Sequence, residues 1–254
     1  MNSTQMPRAA LITGAGRRIG RAIALALAQD GYAVMLHTHR SRAEAEKLAA
    51  EIAAAGGRAT VVLADLTNAD AVRGLMPAAA AFGPLTLLVN NASQFDEDEI
   101  ATIERARFEH TLAVNLTAPV FLAQAFAAQA LDGADASIVN ILDQRVLKPT
   151  PRFFSYTLSK SALHSATITL AQALAPKLRV NAVAPGPTLP SPRQTSEQFA
   201  RQAAAVPLQR GPTPEDIAAA VLYLAQARSV TGTVIAVDGG QHLAWRTADS
   251  DGAE

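Results

Sequence analysis

Tyr156 and Lys160, four residues apart in Tyr156-Thr157-Leu158-Ser159-Lys160, form the strongest chemical pair in the sequence. On a helix this spacing puts both side chains on one face, a turn apart. An ammonium beside a phenol favours the phenolate, so the pair reads as a tyrosine whose pKa falls from its usual ~10 and which moves a proton. So short a motif also recurs on solvated helix faces, and its weight depends on its company. A second feature is the glycine-rich run Thr13-Gly14-Ala15-Gly16-Arg17-Arg18-Ile19-Gly20. Its glycines allow a tight turn and let backbone N–H groups at a helix start approach a pyrophosphate. A third is His37-Thr38-His39-Arg40-Ser41, which contains no carboxylate. An acid there would hold a ribose 2′-hydroxyl, whereas cations and hydroxyls suit a 2′-phosphate. Arg17, His39, Arg40 and Ser41 can supply them, which favours NADPH/NADP+ over NADH. The plainer alternative is a solvated basic loop.

The elements that must position these residues alternate along the chain. Near-continuous apolar runs at Ala9–Thr13, Ala33–His37, Thr60–Leu63, Leu85–Asn90, Ala136–Leu142, Arg179–Val183 and Thr233–Val237 read as strands covered on both faces. Helical stretches at Ile19–Asp30, Arg42–Ala55, Ala69–Phe82, Ile103–Gln129, Phe153–Pro176 and Pro214–Ala227 separate them. Asn68 and Thr213 stand at N-cap positions, and Pro214 follows at the first helical position. This alternation predicts a single-domain, Rossmann-type, doubly wound α/β fold with a parallel sheet of about seven strands. Ligands of such sheets bind beyond the carboxyl ends of the strands. That places Asp65–Leu66, Asn90–Phe95, Asp143–Arg145 and Pro185–Leu189 beside Thr13–Gly20 and His37–Ser41. Asp65 can accept from an adenine amino group or simply cap a turn. The Asn90-Asn91-Ala92 stretch reads as mainly structural, with a cofactor contact as the other possibility.

Composition excludes several classes. Lysine plus arginine and aspartate plus glutamate number 22 each, so no net field favours nucleic acid or an anionic membrane. The absence of cysteine removes a disulfide framework, a thiolate zinc site and a cysteine nucleophile together. No metal-ligand spacing is found among the histidines. The polar N-terminus, Met1 to Arg8, lacks the apolar core of a secretory signal. No uncharged apolar run is expected to reach the ~18 residues of a membrane span. The expectation is a soluble cytoplasmic protein with a frayed tail from Arg246 to Glu254. The proline-containing segment from Gly186 to Arg210 has no periodicity and reads as a lid over a substrate.

The glycine turn, Asn90-Asn91-Ala92, Asn115, Tyr156 with Lys160, Pro185-Gly186 and Val237-Asp238-Gly239-Gly240 occur in one order from about Arg8 to Leu243. In this the chain resembles the short-chain dehydrogenase/reductase family. The resemblance implies that Tyr156 donates the proton, that Lys160 binds the nicotinamide ribose and tunes the phenol, and that Asn115 holds a relay water. It also implies cofactor contacts from Gly14, Arg17, Arg18, Ile19, Asp65, Leu66, Asn91, Ala92, Pro185 and Gly186, and a homotetramer.

Two departures from that pattern are informative. Arg18 replaces a glycine, and Asp143 stands where a carbonyl-binding serine is usual. An ionised aspartate accepts hydrogen bonds and cannot donate one to a ketone. Both departures are shared by the pteridine reductases, which the chain also resembles in Thr13–Gly20, His37–Ser41 and Asn90–Phe95. That likeness implies that Phe95 stacks on a pterin, that Arg18 reaches substrate or cofactor phosphate, and that Asp143 works with Tyr156 in reducing a C=N bond. A ketone reductase of the same fold and a non-catalytic NADPH-binding regulator are the competing readings.

Overall fold

The computed structural model describes residues 8–245 except 81, 132 and 192. The expected frayed tail, most of the N-terminal arm and Pro192 of the expected lid lie outside those residues. Strands β1 (Ala9–Ile12), β2 (Ala33–Thr38), β3 (Ala59–Leu63), β4 (Leu85–Asn90), β5 (Ala136–Ile141), β6 (Leu178–Pro185) and β7 (Val234–Val237) form one sheet. Its order is β3-β2-β1-β4-β5-β6-β7, and every pairing is parallel. Every residue of β1, β2, β5 and β6 is buried, because helices cover both faces. This is the Rossmann-like α/β architecture that the alternation of elements predicts.

One face is covered by α1 (Arg18–Gln29), α2 (Arg42–Ala54) and α8 (Pro214–Gln226), whose Ile23, Leu27, Leu48, Ile52, Val221 and Leu224 meet Ile12, Val34, Leu36 and Val139 of the sheet. The other carries α3 (Ala69–Ala80), α5 (Ala118–Gln129) and α6 (Phe154–Leu174), with Leu75, Leu122, Phe126 and Ala171 against Leu11, Met35, Leu88 and Ile138. Burial of a side chain such as Phe126, which is fully enclosed, stabilises by roughly 2–3 kcal/mol. The strand order reverses between β1 and β4, the position beyond whose carboxyl ends ligands of such sheets bind. The glycine turn after β1 and the segment after β4 therefore face each other.

Local caps explain the starts of α3 and α8. Asn68 Oδ1 accepts from Asp70 N and Ala71 N at 2.9 and 3.1 Å. Thr213 and Asp216 form a reciprocal capping box behind Pro214. Three readings need correction. The helix expected from Ile103 to Gln129 begins as α4 (Arg105–Leu112) and reaches α5 through a π turn, Ala113–Thr117. By length and mean hydropathy this stretch, Arg105–Gln129, meets what a membrane span requires, against the expectation that no run does. Its Ala118, Leu122, Ala123 and Phe126 enter the core, and its Asn115 is fully buried among polar partners. The segment from Gly186 to Arg210 is not wholly irregular, since it contains α7 (Ser196–Ala204), started by a Thr195/Gln198 capping box. That helix buries no residue completely.

Candidate active site

Tyr156 and Lys160 lie on the first two turns of α6 and are both buried. Tyr156 Oη donates to Asp143 Oδ2 at 3.0 Å. Asp143 follows β5 and opens a short 3₁₀ turn, Gln144–Val146, where its Oδ1 accepts from Arg145 N at 2.9 Å. The Arg145 guanidinium returns to both carboxylate oxygens, at 3.3 and 3.1 Å, so the carboxylate is gripped from one side and meets the phenol on the other. Burial, then the charge and hydrogen bond of Asp143, push the Tyr156 phenol well above its ordinary value, and Arg145 and Ser93 act weakly against this. This corrects the expectation of a lowered phenol pKa. The ammonium that was to lower it donates instead to Ile141 O at 2.8 Å and lies 5.8 Å from the Tyr156 ring centroid. Lys160 itself is brought down to about 8 by burial, with Asp143 opposing. The phenol is thus a protonated donor held in place.

The buried Asn115 sits in the π turn, a feature that often marks functional positions. Its Oδ1 accepts from Gln94 N at 2.7 Å, and its Nδ2 donates to Gln94 O and Ser159 Oγ at 2.9 and 3.0 Å. The side chain therefore joins the loop after β4 to α6. In that loop Phe95 lies edge-on to Tyr156, with centroids 4.6 Å apart, and stacks on Phe153 at 4.4 Å. One face of the expected platform is thus covered by a neighbouring ring. Arg145 lies 5.6 and 5.2 Å from these two rings.

At the glycine turn, Gly14 has φ +66°, and a Cβ there would meet Ala92 Cα at 2.9 Å. Arg17 is the N-cap of α1 yet makes no side-chain cap bond, and Ser41 makes none for α2. Two helix starts thus keep their amides unanswered by caps beside exposed Arg17, His39 and Arg40, which is the chemistry an anionic phosphate fits. Gly16 brings the turn against Ser41, whose carbonyl oxygen would lie 3.3 Å from an added Cβ. Asp65 spends Oδ1 on Thr67 N and Oγ1, at 2.9 and 2.8 Å, so the turn-capping alternative describes that oxygen. Its Oδ2 lies 3.7 Å from His39 Nε2. Asn91 Nδ2 donates to Thr13 O and Gly14 O at 2.8 and 3.1 Å, and Ala92 N donates to Thr13 Oγ1 at 3.0 Å, stitching β4 to the turn. Leu66 is buried in the core, Ile19 packs against the opposite core, and Gly186 N donates to Val237 O at 3.0 Å behind Pro185.

The family described as Enoyl-(Acyl carrier protein) reductase matches residues 14–242. A crystal structure of FolM alternative dihydrofolate reductase 1 from Brucella canis, complexed with NADP, is 51% identical with a TM-score of 0.92, covering 95% of this chain and 96% of that one. Pteridine reductase 1 of Leishmania tarentolae is 34% identical over 96% of this chain and 99% of its own. A 3-oxoacyl-(acyl-carrier-protein) reductase of Staphylococcus aureus is 32% identical over 94% of this chain and 100% of its own. The chain belongs to the short-chain dehydrogenase/reductase family.

Several site residues of this short-chain dehydrogenase/reductase carried no sequence signal of their contacts. Arg145 lies in the expected stretch after β5, but its grip on Asp143 shows only once the 3₁₀ turn returns it there. Phe153 and Asp98 matter through contacts with distant segments. Arg18 adopts φ +55°, the left-handed conformation expected where a glycine is usual. Its guanidinium donates to Pro190 O and Leu189 O at 2.9 and 3.3 Å, so it reaches the segment expected to be a lid. Arg193 ties the same segment to Phe95 O at 3.3 Å and Asp96 Oδ1 at 3.1 Å.

Proposed function

We propose that this short-chain dehydrogenase/reductase is an NADPH-dependent reductase of dihydropterins or dihydrofolate-type heterocycles, acting on a C=N bond. The observation that carries the reading is the Asp143–Tyr156 hydrogen bond. Where a ketone reductase needs a donor to the carbonyl, this chain presents a carboxylate held by Arg145, and a carboxylate accepts. A pterin offers amino and ring N–H donors to such an acceptor. The relatives named dihydrofolate and pteridine reductases support the same choice.

The glycine turn, the uncapped starts of α1 and α2, and Arg17, His39, Arg40 and Ser41 would hold the pyrophosphate and 2′-phosphate of NADPH, with Lys160 on the nicotinamide ribose. Bound there, the cofactor supplies the hydride. Gly14, Arg17, Arg18, Ile19, Asp65, Leu66, Asn91, Ala92, Pro185 and Gly186 form its cradle. Leu66 serves through its backbone and Asn91 by holding the turn. Tyr156 delivers a proton to the substrate nitrogen. Asp143 orients the phenol and accepts from the heterocycle. Phe95 offers the ring face that Phe153 does not cover, and Asn115 with Lys160 brackets the proton path. Arg18 holds the lid at its first turn.

The enzyme is further read as a cytoplasmic homotetramer. Exposed Phe121 of α5 and Leu158 and Ile168 of α6 support an interface there, which light scattering would test. The functional test is loss of the reduced nicotinamide absorbance on adding dihydrobiopterin or dihydrofolate, beside a panel of ketones. Asp143→Ser should lower pterin turnover by about 100-fold, the order expected for loss of a positioned proton-transfer group, while improving ketone turnover. Good ketone turnover by the unaltered enzyme, with none of any pterin, removes the pterin reading and leaves a ketone reductase.

A further inference from the structure

The helix that carries Tyr156 and Lys160 begins without a cap of its own. Its N-cap residue, Phe153, has φ +56° and ψ +50° and makes no side-chain cap bond. A left-handed conformation at a bulky residue is strained and persists when its surroundings over-determine it. The surroundings come from 57 residues upstream. Asp98 O accepts from Phe154 N at 3.2 Å. Asp98 Oδ1 accepts from Ser155 N at 3.1 Å, and the second carboxylate oxygen receives the Ser155 hydroxyl. A carboxylate at this end also meets the positive end of the helix dipole. The residue it grips directly precedes Tyr156.

Asp98 closes the same strap that presents Phe95. Along that strap Gln94 N is held by Asn115 Oδ1, Phe95 O and Asp96 by Arg193 of the lid segment, and Glu97 by Arg152. The ring that would carry the substrate and the phenol that would protonate it are thus referred to one another through Asp98. Nothing in the local sequence of the helix does this, because Phe153 has no side-chain acceptor.

We propose that Asp98 is a positioning residue that caps the catalytic helix from across the fold and so sets the Tyr156 phenol against the Phe95 platform. The role rests on the reading that both side chains serve one substrate. A misplacement of about an ångström at such a site costs on the order of 100-fold in rate. Asp98→Ala should therefore lower kcat by about 10- to 100-fold and raise the substrate KM. The Kd for NADPH, which binds beside α1 and α2, should stay within about twofold of the parent. Asp98→Asn, which keeps a capping oxygen, should recover most of the lost kcat.

Turnover is measured with a dihydropterin and with a planar aromatic diketone. Hydrogen exchange of the first-turn amides of α6 is followed in the NADPH complex, with no substrate needed. Failure of the parent enzyme on the dihydropterin alone sinks the pterin reading and leaves the positioning role to be decided on the diketone. Unchanged kcat in Asp98→Ala, unchanged protection of Phe154 and Ser155 amides, or no recovery in Asp98→Asn overturns the role. If Asp98→Ala does not fold, Ser155→Ala replaces it, with a smaller loss of kcat expected and no change in kcat refuting the proposal.

Discussion

His37 fastens the glycine turn to the sheet, and protonating it should loosen both. Gly14 N donates to His37 Nδ1 at 3.3 Å, and Nε2 lies 3.1 Å from Ala64 O. These partners require the neutral ring with its hydrogen on Nε2, donating to Ala64. Burial, with a smaller effect of His39, brings the imidazole down from 6.5 to about 4. A histidine with a depressed folded pKa gives stability that is complete above its ordinary value. It is lost as pH falls from 6.5 towards 4, where only the unfolded chain takes the proton. At ~1.4 kcal/mol for each pH unit the full loss is about 3 kcal/mol, of which about 2 kcal/mol falls between pH ~7 and pH ~5. Urea unfolding of the parent protein and of His37→Gln across this range provides the assay. Carboxylates titrate in both proteins and cancel in the difference. The parent should lose about 2 kcal/mol more than the variant, and NADPH affinity should weaken with it, since a doubly protonated ring cannot accept from Gly14. Parallel stability curves for the two proteins would refute the reasoning.

Three further outcomes follow from the site. Gly20→Ala places a Cβ 2.3 Å from Gly14 O and 2.6 Å from Asn91 Nδ2, both fixed by the turn. It should destabilise by roughly 2–3 kcal/mol in thermal or urea unfolding and abolish NADPH binding. Arg40→Ala should weaken NADPH by about 10-fold while leaving NADH nearly unchanged, as expected for loss of one charge-assisted contact to a phosphate, and fluorescence titration measures both. Lys160 is brought down to about 8 by burial, so its ammonium is present below that pH and lost above it. The reductive kcat/KM should accordingly fall as pH rises past about 8, and Lys160→Arg should carry that limb to higher pH; a profile flat to pH ~10 contradicts this.

Much of this architecture was legible from local patterns. The buried strands, the caps at Asn68 and Thr213 and the turn from Thr13 to Gly20 depend on neighbours in the chain. Periodicity and residue type therefore reveal them. The pairing of Tyr156 with Lys160 was legible for the same reason, since a helix brings residues four apart to one face.

What Tyr156 would do chemically was another matter. Spacing suggested that Lys160 lowers the phenol, whereas the folded protein spends the ammonium on Ile141 O and sets the phenol against Asp143. The electrostatics of a buried group depend on which charges and how much water surround it, and those arrive from β5 and the loop after β4. Phe153 and Asp98 were invisible on the same ground, because each acts through a partner that only the tertiary fold brings near. Residue types and spacings determined the fold, the glycine turn and the pairing of Tyr156 with Lys160. Tertiary contact alone decided which way the pKa of the Tyr156 phenol moves, what holds it, and which rings pack on Phe95.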